Sequence, residues 1–303
     1  MKRPFGMHWL AALGVVNAGQ AQLLEAAVAI AKSCGCNLFE LACAPINGLT
    51  AEETAQAVLA GGINTVSFCR FFPEDGACGD PLGDDTQRGQ ALETFQHDVA
   101  FILDLRKYGL TVNTITGPSC FRVAAQYGLS AVDKRSRLVS FIGDQAATVA
   151  GKELTLALEY LRPTEDYAIE GFVPMIHLLQ EIANPNVGWH GDVFHMLERR
   201  EDPCENVRRS GEYLKYLHGH SNLRVAPGAF YLDNIREATD KVNWWLLGQY
   251  LDRRGFAGPV VPEPFGEEIR KVAPALGEGL PPAIDPARYY QIAGTHLTKM
   301  GLI

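Results

Sequence analysis

The sequence predicts a (β/α)8 TIM barrel folded as one domain over residues 1–303. Two observations carry that expectation. Short apolar runs alternate eight times with longer amphipathic stretches, and the first run leads into GVVNAGQAQ rather than the GxGxxG turn that a doubly wound dinucleotide-binding sheet would want. No Ser/Gly/Pro-rich linker divides the chain and no internal repeat is visible.

The strands are expected at 5–10, 37–43, 64–71, 111–116, 153–160, 188–194, 213–221 and 258–263. Each is followed by a helical pattern. The first, 22–33, reads QLLEAAVAIAKS with apolar residues at helical spacing and stops at Cys34-Gly35. The second, 50–60, opens with Thr50 as N-cap and Glu53 as its capping-box partner. Helices at 91–107, 132–150, 173–182, 204–213, 243–254 and 286–300 complete the set, the last with Asp285 as cap and Pro286 at its first position. The Gly/Pro-rich stretch 277–286 reads as a surface loop.

Composition narrows the function classes. With 27 Lys+Arg against 35 Asp+Glu, the formal net charge is −8, which opposes binding to a phosphate backbone or to an acidic membrane surface. Seven cysteines, an odd number in a long chain, read as reduced thiols in the cytoplasm rather than as a disulfide framework. Cys34-Gly-Cys36 lacks the second ligand pair of a zinc finger. The basic tip and apolar run of the first residues imitate a secretory signal, but His8 interrupts that run and the barrel needs it as a strand. No stretch has the uninterrupted apolar length of a membrane span.

Chemistry in a barrel gathers at the C-terminal ends of the strands. The last four strands end in groups that ligate metals or move protons: Glu159 after the fifth, Asp192 and His195 after the sixth, His218 and His220 on one face of the seventh, and Glu263 between two prolines after the eighth. Glu159, Asp192, His218 and Glu263 make a set of three oxygens and one nitrogen. Such a set suits Mn²⁺, Mg²⁺ or Co²⁺ better than a thiolate-type zinc site. A positive ion would also relieve the repulsion among the carboxylates.

These segments resemble the metal-dependent ketose 3-epimerases, the D-tagatose/D-allulose 3-epimerase group of the xylose isomerase-like barrels. Leu158-Glu159 with Glu165, Asp192-Val193-Phe194-His195-Met196, His218 with Arg224 and Pro227-Gly228, and Glu263-Pro264-Phe265 follow the group's motifs in order and spacing. The resemblance implies Glu159, Asp192, His218 and Glu263 as ligands of a divalent metal, most often Mn²⁺. It implies Glu165, His195 and Arg224 as holders of the sugar's carbonyl and hydroxyl oxygens. It further implies a keto sugar as substrate, epimerised at C3 through a cis-enediolate with Glu159 and Glu263 as opposed acid and base, and a homo-oligomer, dimer or tetramer. No Lys/Arg-rich phosphate loop is evident, so the sugar is expected to be free of phosphate. Aldose–ketose isomerases and inosose-type dehydratases share this plan, and a zinc-dependent abasic-site endonuclease uses a similar barrel. The chain departs from the group at His220 and Ser221, where Gly-Glu is usual, and in a longer connection from His218 to Glu263. At the end of the first strand it has His8-Trp9 where the group places aromatics.

Other polar and aromatic residues carry blander expectations. Glu40 is read as structural, Arg70 and Phe71-Phe72 as pocket wall or packing, and Trp244-Trp245 as helix–barrel or subunit packing. The charge run 197–209 is read as a solvated helix start and His190 as a lower-layer barrel residue. His97, His177 and His296, in helical patterns, are given no role.

Overall fold

The structure, a computed structural model, describes residues 2–8, 21–42, 48–70, 78–117, 128–163, 168–221, 226–227, 241–264 and 286–303. Its eight strands are β1 (Gly6–His8), β2 (Leu38–Ala42), β3 (Thr65–Cys69), β4 (Thr111–Thr116), β5 (Thr155–Leu158), β6 (Val187–Asp192), β7 (Leu214–His218) and β8 (Val260–Val261). They pair in sequence order, and every pairing is parallel. The ring closes where Phe5 bridges Val260, with Val260 N–H donating to Pro4 O at 2.9 Å. This is the expected (β/α)8 barrel.

The described helices are α1 (Ala21–Ser33), α2 (Ala51–Ala60), α3 (Asp85–Lys107), α4 (Ala131–Val149), α5 (Phe172–Ile182), α6 (Val193–Glu198), α7 (Pro203–Arg209), α8 (Trp244–Arg253) and α9 (Pro286–Lys299). Thr50 caps α2 through the expected capping box. α3 begins six residues before the expected start, because Asp84 caps it and accepts from Gln87 N–H. Its polar first turns, DTQRGQ, hide the apolar period there. Strand six is shorter than expected: Val193 and Phe194 open α6, and Asp192, by accepting from His195 N–H, ends the strand as an N-cap. The expected helix at 204–213 divides into α7 and a 3₁₀ turn at Gly211–Tyr213. Leu10, Phe71 and the loop 277–285 lie outside the described residues.

Side chains alternate across each strand. The outward set packs against the helices; Trp189 of β6 is buried there, its ring 6.3 Å from Tyr160 and 5.0 Å from Phe172. Trp244 is buried under α8, whereas Trp245 is exposed, so the first of the pair is helix–barrel packing. Arg70 is buried and paired through two nitrogens with Asp98 of α3. The charge run 197–209 is only partly solvated. Glu201 accepts from Tyr160 O–H at 2.6 Å, Phe172 N–H at 2.9 Å and Asn206 Nδ2 at 2.8 Å, tying three elements together.

Inside the barrel, Leu38, Ala157, Tyr216 and Val261, from β2, β5, β7 and β8, form a small apolar cluster. Gly6 has no side chain because a Cβ there would lie 2.5 Å from Leu38 Cδ2 and 2.7 Å from Val261 Cγ2. His190 lies at the same depth, buried, with its ring 5.0 Å from Tyr216, as expected of a lower-layer residue. No helix among the described residues is long and apolar enough to cross a membrane. Cys36, Cys78 and Cys204 are free thiols. His97 and His177 are exposed on α3 and α5, and His296 lies half-buried on α9.

Candidate metal centre

Two residues above each inner-layer position, the strands deliver one side chain apiece to the C-terminal mouth: His8, Glu40, Cys69, Thr116, Glu159, Asp192, His218 and Glu263. His218 is the focus of this ring. Its Nδ1 lies 3.4 Å from Asp192 Oδ2, 3.6 Å from Glu263 Oε2 and 3.9 Å from Glu159 Oε1. All four expected ligands therefore converge from β5, β6, β7 and β8. The opposite ring nitrogen, Nε2, makes a 2.9 Å hydrogen bond with Glu40 Oε2, and Glu40 Oε1 accepts from Thr116 O–H at 2.6 Å.

The two expected acid–base carboxylates each have their own imidazole neighbour. Glu159 Oε1 is 3.9 Å from His195 Nε2, and Glu263 Oε1 is 3.5 Å from His8 Nε2. His195 Nδ1 accepts from Arg162 N–H at 2.9 Å, so in the neutral ring the proton sits on Nε2, facing Glu159 and Asp192. Asp192 is pinned more tightly than a cap requires: Oδ1 accepts from His195 N–H at 3.0 Å, and His220 Nε2 lies 3.1 Å from Oδ1 and 3.0 Å from Oδ2.

The electrostatics follow from burying four carboxylates together. Burial alone would raise the Glu40 pKa, but the charge and hydrogen bond of His218, with help from His8 and Thr116, hold it below the usual carboxylate range. Asp192 likewise resists burial, held well below the usual range by His220, His195 and His218. Burial opposes charge on His218, yet Glu40, Asp192 and Glu263 raise its pKa well above the ordinary imidazole value. His190, deeper and beside His218, is held neutral by burial and by that neighbouring charge. The mouth thus favours positive charge at His218.

A divalent ion fits these residues. His218 Nδ1 is buried and makes no hydrogen bond of acceptable geometry, although three carboxylates stand within 3.9 Å of it. A buried lone nitrogen among carboxylates is costly unless a cation or a proton satisfies it. Its other nitrogen is fixed by a carboxylate, the arrangement that orients metal-binding imidazoles. One atom each from Asp192, His218, His220 and Glu263 lie mutually within 4.8 Å; Glu159 forms a similar group with Asp192 and His195.

Glu165, Arg224, Gly228 and Phe265, named from the sequence, lie outside the described residues, as do Trp9 and Phe72. Glu40, read as structural, is fully buried and holds both Thr116 and the candidate ligand His218, so its structural role bears directly on the site. A lone acid in the apolar strand LFELA, at inward parity, was the available signal. Tyr290 of α9 was missed. Its O–H donates to Pro262 O at 2.6 Å and accepts from His8 N–H at 3.0 Å, fastening the ends of β1 and β8 that carry His8 and Glu263.

Residues 28–287 match the family model described as xylose isomerase-like TIM barrel. The chain belongs to that family. Among curated proteins, it is 28% identical over 171 residues to a D-psicose 3-epimerase from Ruminiclostridium cellulolyticum, covering 55% of each chain. It is 27% identical over 142 residues to a ketose 3-epimerase from Arthrobacter globiformis, covering 47% of this chain and 44% of that one. The matched segments thus span about half the length of these relatives. A solved L-ribulose 3-epimerase superposes with a TM-score of 0.81 over 99% of this chain and 96% of its own, at 18% identity, a likeness of fold.

Proposed function

We propose that this chain, acting as one domain over 1–303, is a metal-dependent epimerase that inverts C3 of a free keto sugar. The observation that carries the reading is the approach of Asp192, Glu159 and Glu263 to the single nitrogen His218 Nδ1, at 3.4–3.9 Å. The names of the curated relatives support it. Glu159, Asp192, His218 and Glu263 would hold the ion, Mn²⁺ or a similar one such as Mg²⁺ or Co²⁺. When bound, that ion supplies Lewis acidity that eases proton loss beside the sugar's carbonyl.

The chain's own residues do the rest. Glu159 and Glu263 reach the mouth from β5 and β8, with β6 and β7 between them. One carboxylate takes the C3 proton from one face, and the other returns a proton to the opposite face of the enediolate. Positioned groups of this kind each contribute about 10²–10⁴ in rate. His195, with Nε2–H facing inward, stabilises negative charge developing at the carbonyl oxygen. Glu165 and Arg224 hold the neighbouring hydroxyls. A homo-oligomer and a cytoplasmic location complete the reading, the second in keeping with the free thiols of Cys36, Cys78 and Cys204.

The test is NMR of products formed in D₂O from free ketoses and keto-inositols by the Mn²⁺-supplemented protein, with Glu159→Gln and Glu263→Gln in parallel. Deuterium at C3 with a new epimer, lost in both variants, is expected. Label at C1 or C2 with an aldose product would move the chain to the isomerases, and loss of water to the dehydratases. Absence of exchange with every substrate despite bound metal would refute the sugar reading and direct attention to abasic-site cleavage.

A further inference from the structure

We propose that His220 is an additional inner ligand of the ion, giving the site a second imidazole nitrogen and moving its selectivity from Mg²⁺ and Mn²⁺ toward Co²⁺. The inference rests on the reading that the mouth holds a divalent ion. His220 stands where the resembling epimerases usually have glycine, so a side chain has been added to the mouth. It is completely buried. Its ring is held against Phe194, centroids 6.0 Å apart and planes 27° from parallel, and edge-on to His218 at 6.2 Å.

That packing brings Nε2 to Asp192, 3.0 and 3.1 Å from the two carboxylate oxygens. Neighbouring ligands of an octahedral ion, each bound at about 2.1 Å, lie about 3.0 Å apart. His220 Nε2 and the Asp192 oxygens therefore already have the spacing of adjacent ligands. With His218 and Glu263 they form the four-membered group in which every pair of ligand atoms falls within 4.8 Å. Glu159 Oε1 is the most distant of the three carboxylates from His218 Nδ1, at 3.9 Å, and Glu159 is not a member of that four-residue group, whereas His220 is. Two imidazoles change the chemistry of the set. Mg²⁺ prefers oxygen and water, whereas Co²⁺ gains from each nitrogen and stands above Mn²⁺ in affinity for mixed sites.

Proton NMR of the Co²⁺-loaded protein counts the bound imidazoles. Each one bound through a single nitrogen carries an N–H on the other, strongly shifted by the ion and absent after exchange into D₂O. Two such signals are expected from the wild type and one from His220→Gly. A single signal in the wild type, which requires no variant to fold, overturns the proposal while leaving the ion itself in place. Failure of the wild type to bind Co²⁺ at all overturns both this proposal and the metal reading beneath it. As a second measurement, chelator competition gives Co²⁺ and Mg²⁺ affinities for the wild type, His220→Gly and His220→Asn. The ratio of Co²⁺ to Mg²⁺ affinity is expected to fall more than about tenfold in each variant. Equal weakening of both ions, the signature of a residue that merely orients Asp192, overturns it.

Discussion

Glu40→Gln isolates what the carboxylate behind His218 contributes. The amide is nearly isosteric, and its oxygen still accepts from His218 Nε2–H across the 2.9 Å contact, so the hydrogen bond survives and the negative charge goes. Thr116, whose hydroxyl now donates to Glu40 Oε1 at 2.6 Å, can instead accept from the amide nitrogen. The barrel should therefore fold. Removing a carboxylate partner of a metal-binding imidazole costs about 10–100-fold in metal affinity. Because the hydrogen bond is retained here, the lower end applies: about tenfold, or about 1.4 kcal/mol.

The sign of the pH dependence is a further check on that substitution. Glu40 also raises the proton affinity of His218, and that proton competes with the ion. In the variant the competing proton is weaker, so part of the loss is offset at low pH, and the full tenfold appears only at alkaline pH. The assay is titration of the metal-free protein with Mn²⁺ against a competing chelator at several pH values. Wild-type affinity within twofold at alkaline pH, or a loss that grows on acidification, would refute the argument.

Two other outcomes are expected. Tyr290→Phe leaves His8 N–H and Pro262 O without their shared partner at the β1–β8 seam, and should cost about 1–3 kcal/mol in denaturant unfolding, with a lower turnover as Glu263 loses its support; a midpoint equal to wild type would show that water takes the hydroxyl's place. Cys204 sits in the first turn of α7, where a helix N-terminus would lower a thiol's pKa, but burial and the neighbouring Asp202 charge raise it to about 11. Since the unfolded thiol ionises lower, the contribution of Cys204 to stability is intact below the unfolded value and declines as pH rises toward the folded one. Alkylation followed by peptide mass mapping should therefore find Cys204 nearly inert at pH 8 and faster by about tenfold per pH unit above it.

What was legible in the sequence was whatever follows from period and parity. The eight alternations gave the barrel, and the inward parity of Glu159, Asp192, His218 and Glu263 brought them to one mouth. Helix starts were hidden where caps lie in polar surroundings, as Asp84 does before α3. The end of strand six was misplaced because Val193-Phe194 suits a strand by propensity, while the cap that Asp192 forms decides the matter. Contacts between distant segments left no local trace. Glu40 to His218 spans 178 positions and Tyr290 to His8 spans 282, and nothing in either residue's neighbours announces its partner.

The mouth takes one residue from every strand, from His8 near the start of the chain to Glu263 near the other end, so no fragment of the barrel can assemble it. The ring is thinnest at the seam between the first and last strands, where β1 has three residues and β8 two. Glu263 and His8 face each other across that seam at 3.5 Å. If an ion grips Glu263 as proposed, it would work as a latch on the ring, favouring the closed barrel over any opened form by mass action, about 2.7 kcal/mol at a hundredfold excess over its dissociation constant. Metal supply would then govern how long the protein survives, and a cell starved of the ion would lose the protein itself along with any activity that the ion supports.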